Sequence, residues 1–202
     1  MGIEWGVEAM EVILKAYGQF LPKELLAKVQ GQKASDIYRI LPEDQYQKVF
    51  TEYYTHFFHA PMSQILGPGN AINTCPAFVA PGIDNTRRKI YIKDDPRTTK
   101  GTYYHEFVHY LQHADFYPEF YCIGGKNPAI LEGVTEWLTR RVDIKIARER
   151  QEQGKYQSYF ESINAWVYSG KLNGGVATIL ALSFQGQKGE VERMGGVWPV
   201  MT

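Results

Sequence analysis

Residues 105–109 read His-Glu-Phe-Val-His, an HExxH pattern inside a segment whose apolar residues recur at helical spacing. Positions four apart on an α-helix lie about 40° apart on one face. The rings of His105 and His109 are therefore placed to bind one metal ion together, and Glu106 lies where it reaches a bound water rather than the metal. The pattern predicts a helix over about residues 98–114 that carries a metal site.

A catalytic zinc site uses three protein ligands and keeps a fourth position open. The downstream segment Leu131–Leu138 reads LEGVTEWL and offers two carboxylates, Glu132 and Glu136, one turn apart on a predicted helix. Spacing alone leaves either of them as the third ligand.

The other histidines and one cysteine are residue types that can bind metals, but they are not expected to be ligands here. His113 continues the HExxH helix by one more turn, and a straight helix does not bring a third histidine onto the same ion. His56 and His59 are expected to be ordinary residues of an aromatic-rich helix. Cys75 is interpreted as a buried or idle thiol.

HExxH followed by a helix with EGxTE resembles the gluzincin branch of the zincin metallopeptidases. The stretch Glu132-Gly133-Val134-Thr135 looks like the part of the aminopeptidase-N-like family in which the Glu before Gly binds zinc. The resemblance implies that His105, His109 and Glu132 are the ligands of a Zn²⁺ ion and that Glu106 is the general base.

The resemblance also implies two supporting residues. In thermolysin-like members, a carboxylate four residues after the ligand Glu binds a ligand histidine, and Glu136 matches that place. Such enzymes use a Tyr or His to stabilise the oxyanion. No histidine follows His113, so a tyrosine is expected, with Tyr168 ranked ahead of Tyr159 and Tyr121.

The resemblance extends from Ile90 to Leu138, and the chain departs from the family pattern in two respects. The 22 residues between His109 and Glu132 are slightly more than in the thermolysin and aminopeptidase-N patterns. The GxMEN motif of the aminopeptidase-N family is absent, which argues against an aminopeptidase of that type and favours an endopeptidase or a peptidase of restricted specificity. The stretch Tyr103–Gln112 also resembles the HELxHxxQ segment of small peptidase domains from toxin and secretion contexts.

Composition limits the partners and the location. Lys plus Arg and Asp plus Glu number 22 each, so the net charge gives no reason to expect nucleic acid or a membrane as a partner. Two cysteines are too few for a secreted disulfide scaffold. The N-terminus lacks a signal-peptide pattern, and the longest apolar run, 176–184, is too short to span a bilayer. We expect a cytoplasmic protein by default, with non-classical export left open.

Apolar periodicity predicts an α+β, zincin-like fold that is mostly helical, with a small mixed β-sheet and an active-site helix. The predicted strands are 77–80 and 89–93. The predicted helices are 7–17, 21–29, 43–59, 98–114, one from 127 whose charged end at 148–153 is a solvated extension, 157–168 and 174–185. The prediction is one domain over 1–202, with an N-terminal lobe of about 1–115 and a C-terminal helical lobe of about 116–202.

These features predict a zinc-dependent metallopeptidase that hydrolyses a peptide or protein substrate, with an edge strand of the sheet binding extended substrate. Two alternatives stay open. One is a catalytically silent, zinc-retaining binding or regulatory module, against which the intact Glu106 argues. The other is a toxin or effector protease that acts on one specific protein.

Overall fold

The computed structural model describes residues 2–58, 75–80, 88–113, 128–154, 156–172 and 174–186. Within these ranges the chain is mostly helical with a small mixed sheet, as predicted. The strands are β1 (Tyr38–Leu41), β2 (Ala77–Ala80) and β3 (Lys89–Lys93). The α-helices are α1 (Ile3–Tyr17), α2 (Lys23–Gln30), α3 (Ala34–Ile37), α4 (Glu43–Phe58), α5 (Lys100–Leu111), α6 (Pro128–Val142), α7 (Ile144–Gln153), α8 (Gln157–Tyr168) and α9 (Gly175–Gln185), and a short 3₁₀ helix covers Gly18–Phe20.

The chain forms two compact units. Unit 1 comprises Met1–Glu11 and Gln32–Tyr110, and it contains the sheet. Unit 2 comprises Val12–Gly31 and Leu111–Thr202, and its described residues are helical or in turns. No helix within the described ranges is long and apolar enough to cross a membrane.

The sheet has the strand order β1-β3-β2. β1 runs parallel to β3, with Tyr38 opposite Ile90, and β2 runs antiparallel to β3, with Ala77 opposite Ile92. Ile90 and Ile92 of the central strand are fully buried. The structure confirms the predicted bounds of β2 and β3, whereas β1 lies between the predicted helices 21–29 and 43–59, where no strand was predicted.

Aromatic side chains of α4 form the core that covers this sheet in unit 1. Tyr46, Phe50 and Tyr53 from the helix pack on Phe78 of β2 in one buried cluster. The hydroxyl of Tyr46 donates a hydrogen bond to the carbonyl of Cys75 at 2.9 Å. These aromatic side chains of unit 1 therefore serve packing.

The beginning of α1 packs closely on β1. A Cβ atom on Gly6 would lie 2.8 Å from Cδ2 of Tyr38, a distance that real Cβ contacts do not reach. Only glycine allows the helix backbone to approach this ring. The Tyr38 ring also packs on Tyr103 and Phe107 of α5, with centroid distances of 5.4 and 6.3 Å. Tyr38 thus links the N-terminal helix to the HExxH helix.

A short polar turn leads from β3 into α5. Oδ1 of Asp95 accepts a hydrogen bond from the backbone N–H of Arg97 at 2.8 Å, and the Arg97 guanidinium pairs with the same carboxylate. The Arg97 hydrogen bonds hold the pKa of Asp95 well below its ordinary value. Oγ1 of Thr98 donates to the carbonyl of Lys93 at 3.0 Å. These contacts start the HExxH helix directly after the central strand.

The single helix predicted from residue 127 to 153 is wrong, because two helices occupy this stretch. α6 ends at Val142 and α7 begins at Ile144. Between them, Asp143 has extended backbone angles, and its Oδ1 accepts the N–H groups of Lys145 at 2.7 Å and Ile146 at 3.3 Å. An aspartate N-cap satisfies the free N–H groups of a helix start, so the chain turns here and begins a new helix. The first described residue of this helix is Pro128, and residue 127, from which the helix was predicted, lies outside the described residues.

Candidate metal centre

α5 carries the HExxH segment and is buried on every face. All residues from Gly101 to Gln112 are buried, although the helix is only weakly apolar. When a helix of mixed polarity is buried on all sides, its polar side chains must find hydrogen-bond or metal partners inside the protein. His105 and His109 are each 2 % exposed, so this requirement falls on two imidazoles.

The two histidines face each other as the helical spacing predicts. Their Nε2 atoms lie 3.1 Å apart, and the rings meet edge to face with centroids 4.8 Å apart. Two nitrogens bound to one tetrahedral zinc at about 2.0–2.1 Å lie about 3.3 Å apart. The observed separation therefore fits two ligands of one ion with almost no adjustment.

Glu132 of α6 supplies a third donor. A carboxylate oxygen of Glu132 and a ring nitrogen of each histidine all lie within 4.8 Å of one another. The two histidines are buried and the glutamate is half-buried. Two imidazoles and one carboxylate are a common donor set of catalytic zinc sites, so the residues fit the ion that the sequence predicts. Within the described ranges, no other group of three or more His, Cys, Asp or Glu residues could hold a metal.

Glu106 lies on the same helix, between the two histidines in sequence, and is 9 % exposed. It stands 100° around the helix from His105 and about 60° from His109, so it does not share their direction. The nearby Tyr38 is deeply buried, and its pKa is raised well above its ordinary value, first by burial and then by the negative charge of Glu106. The Glu106 carboxylate is therefore close to a tyrosine that stays protonated.

The ends of α5 are held by charged side chains. At the start, Lys100 and the hydroxyl of Tyr104 both bind the carboxylate of Glu8 on α1. At the end, Nη1 of Arg88 donates to the carbonyl of Tyr110 at 3.1 Å. A cation at the carbonyl end of a helix is favourable for its dipole. Arg88 was not singled out from the sequence, because an arginine just before a strand has no local pattern that indicates this role.

Glu136 lies one turn beyond Glu132 and is fully buried between two arginines. Nη2 of Arg150 lies 2.5 Å from its Oε2, and Nε of Arg140 lies 2.7 Å from its Oε1. The predicted contact between Glu136 and a ligand histidine stays a prediction. The two oxygens of Glu136 make four hydrogen-bond contacts with these arginines, to Nε of Arg140 and to Nε and Nη2 of Arg150.

The expectation that residues 148–153 form a solvated extension is wrong for Arg150. Its side chain is only 2 % exposed, because it reaches from α7 to the Glu136 carboxylate. The local sequence is charged on all sides and offers no sign of this burial. A partner 14 positions away in the chain turns one of the charged residues inward.

We expect the substitution Arg150→Met to lower the free energy of unfolding by about 3 kcal/mol, because it leaves part of a buried carboxylate unpaired. Urea unfolding followed by circular dichroism would measure this. Arg148→Met is the matched control, since Arg148 is exposed on the same helix and its loss should change the value by less than about 0.5 kcal/mol. Equal effects of the two substitutions would show that the Arg150–Glu136 pair contributes no stability.

Tyr168, the predicted oxyanion-stabilising residue, is 58 % exposed. Its hydroxyl lies 2.6 Å from Nη1 of Arg141. Arg141 is nine residues after Glu132 on α6, which places it on the opposite face and about 13 Å further along the axis. This position does not favour a role for Tyr168 at the metal centre. Of the other two candidates, Tyr159 stacks on Tyr156 at 6.0 Å, and Tyr121 lies outside the described residues.

The remaining histidines take no part in the described donor group. The backbone N–H of His113 donates to the carbonyl of Ser183 at 2.7 Å. Its imidazole packs on Gly186, where a Cβ atom would lie 2.3 Å from Nδ1. His59 and the side chain of His56 lie outside the described part of the structure.

Comparisons with family models, curated proteins and solved structures find no match to this chain.

Proposed function

We propose that this protein is a zinc-dependent peptide hydrolase with a zincin-like active site of the gluzincin type. One observation carries the proposal: the donor atoms of His105, His109 and Glu132 lie within 4.8 Å of one another. The glutamate of the HExxH motif adjoins the first histidine. A third carboxylate donor from a separate helix is not a consequence of the HExxH pattern, so it supports the proposal independently.

The ligands of the ion would be the imidazoles of His105 and His109 and the carboxylate of Glu132. When bound, zinc would lower the pKa of a water toward about 7 and polarise the scissile carbonyl.

The chain's own base would be Glu106. Its carboxylate accepts a proton from the attacking water and then donates that proton to the leaving amine. Its direction on the helix, about 60° or more from both histidines, suits contact with the water rather than with the ion. Burial on the HExxH helix restricts the side chain to few positions, which favours a defined proton transfer.

The sheet of unit 1 suggests how substrate would be held. Among the described strands, β1 and β2 are at the edges and β3 is central. An edge strand pairs with an extended peptide through backbone hydrogen bonds, which recognise the chain without requiring one side-chain sequence. We propose that a peptide in an extended conformation adds to one of these two edges.

The test is metal analysis combined with turnover of a peptide library by the full chain. We expect one zinc ion per chain, cleavage products identified by mass spectrometry, loss of cleavage after treatment with a strong chelator, and its return when Zn²⁺ is added. Stoichiometric zinc without any cleavage would favour the silent binding module. Absence of metal at His105 and His109 would contradict the whole proposal.

A further inference from the structure

Gln112 and Thr135 form a hydrogen bond inside unit 2. Nε2 of Gln112 donates to Oγ1 of Thr135 at 2.8 Å. The two residues are 1 % and 0 % exposed. Neither residue has a role predicted from the sequence, and the proposed mechanism uses neither of them.

Both residues hold the same position relative to a proposed ligand. Gln112 follows His109 by three residues, and Thr135 follows Glu132 by three residues. On α6, three residues correspond to about 4.5 Å of helical rise and return to within about 60° of the same face, and Gln112 directly follows the last residue of α5. The bond therefore joins α6 to the residue at the end of α5, three positions beyond a proposed ligand in each segment.

The backbone on either side of this bond is also held. The N–H of His113, next to Gln112, donates to the buried carbonyl of Ser183 at 2.7 Å. The carbonyl of Thr135 accepts the hydroxyl of Thr139 at 2.8 Å. Neither residue of the Gln112–Thr135 bond lies on an exposed loop, so the bond can fix the distance between the two segments that it joins.

A buried polar pair adds little net stability, because it exchanges hydrogen bonds with water for one within the protein. An apolar pair of similar volume would fill the same space. The polar pair differs from an apolar pair because a hydrogen bond restricts both the distance and the angle between the two side chains. Contacts one step removed from the ligands commonly set metal affinity in this way.

We infer that the Gln112–Thr135 hydrogen bond is a positioning contact that sets the spacing of the metal ligands. This inference rests on the proposed zinc site. Gln112 and Thr135 are positioning residues here, because they act through the segments that carry His109 and Glu132.

The experiment compares Zn²⁺ affinity, measured by competition with a chromophoric chelator, in four variants of the full chain. Thr135→Val removes the hydroxyl at nearly constant volume, and Thr135→Ser keeps it. The double variant Gln112→Leu/Thr135→Val replaces both partners by apolar groups. Asn164→Ala is the control, since it removes the 3.1 Å bond from Nε1 of Trp137, which lies on another face of α6 from Glu132.

We expect Thr135→Val to weaken Zn²⁺ binding by about tenfold or more. Thr135→Ser should restore it, and Asn164→Ala should leave it unchanged. The double variant should regain thermal stability, because its apolar side chains fill the same space. It should still bind Zn²⁺ weakly, because it lacks the hydrogen bond that fixes the distance and angle between the two segments. In the Co²⁺-substituted protein, the visible absorption bands should change in Thr135→Val and return in Thr135→Ser.

Wild-type Zn²⁺ affinity in Thr135→Val, or a double variant that recovers both stability and affinity, would overturn the inference and assign the pair to packing alone. These outcomes are distinct from failure of the proposed function, in which the wild-type chain itself binds no Zn²⁺ or binds it independently of Glu132. If Thr135→Val does not fold, the comparison of the double variant with wild type decides the question.

Discussion

Replacing Glu106 by Gln is expected to lower kcat/KM by roughly 10²–10⁴-fold while the protein keeps its zinc. The amide has almost the same shape as the carboxylate, so the packing around this buried side chain is preserved. It cannot accept the proton of the attacking water, and the chain then lacks its general base. Peptide turnover and zinc content, measured on the same preparation, check this prediction.

The control for Glu106→Gln is Glu152→Gln, which makes the same chemical change at an exposed position of α7. Its turnover and zinc content should match those of the wild type. A Glu106→Gln protein with full activity would show that another group is the base. One that lost its zinc would show that Glu106 is a ligand.

Replacing Glu132 by Ala is expected to lower Zn²⁺ affinity by more than about 100-fold, which exceeds the 10–100-fold typical of residues that only support a ligand. The change removes one of three protein donors and leaves the two histidines. Equilibrium titration with Zn²⁺ measures the affinity, and circular dichroism verifies that the helices are retained.

Glu136→Ala separates the two candidate ligands. Its carboxylate is bound by Arg140 and Arg150, so its loss should first destabilise the fold. At a temperature where both variants are folded, Glu132→Ala should show the larger loss of Zn²⁺ affinity. Full affinity in Glu132→Ala together with loss in Glu136→Ala would reverse the assignment of the third ligand.

Local patterns predicted most elements near the candidate site. β2 and β3 have the predicted bounds, and α8 covers the predicted 157–168. The HExxH helix lies within the predicted 98–114. The two helices have a clear apolar period and the two strands are short apolar or β-prone runs, so neighbouring residues specify them.

β1 was missed for the opposite reason. It has four residues and pairs in parallel with β3, which lies about 50 positions later in the chain. A segment this short has no period of its own. Its strand conformation depends on hydrogen bonds to a distant partner, which a local pattern does not contain.

The amino-acid sequence by itself determined that His105 and His109 share one helix face, because a spacing of four residues on a helix allows no other arrangement. It also supplied Glu106 at a position suited to a base, and it offered Glu132 and Glu136 as alternatives. Spacing alone did not distinguish those two carboxylates, the family resemblance favoured Glu132, and only the tertiary structure gave the surroundings of each. Glu132 lies within 4.8 Å of the histidines as a donor, whereas Glu136 is buried against Arg140 and Arg150. Each carboxylate meets at least one partner from a distant part of the chain. Tertiary packing decides that partner, and the local spacing of residues does not.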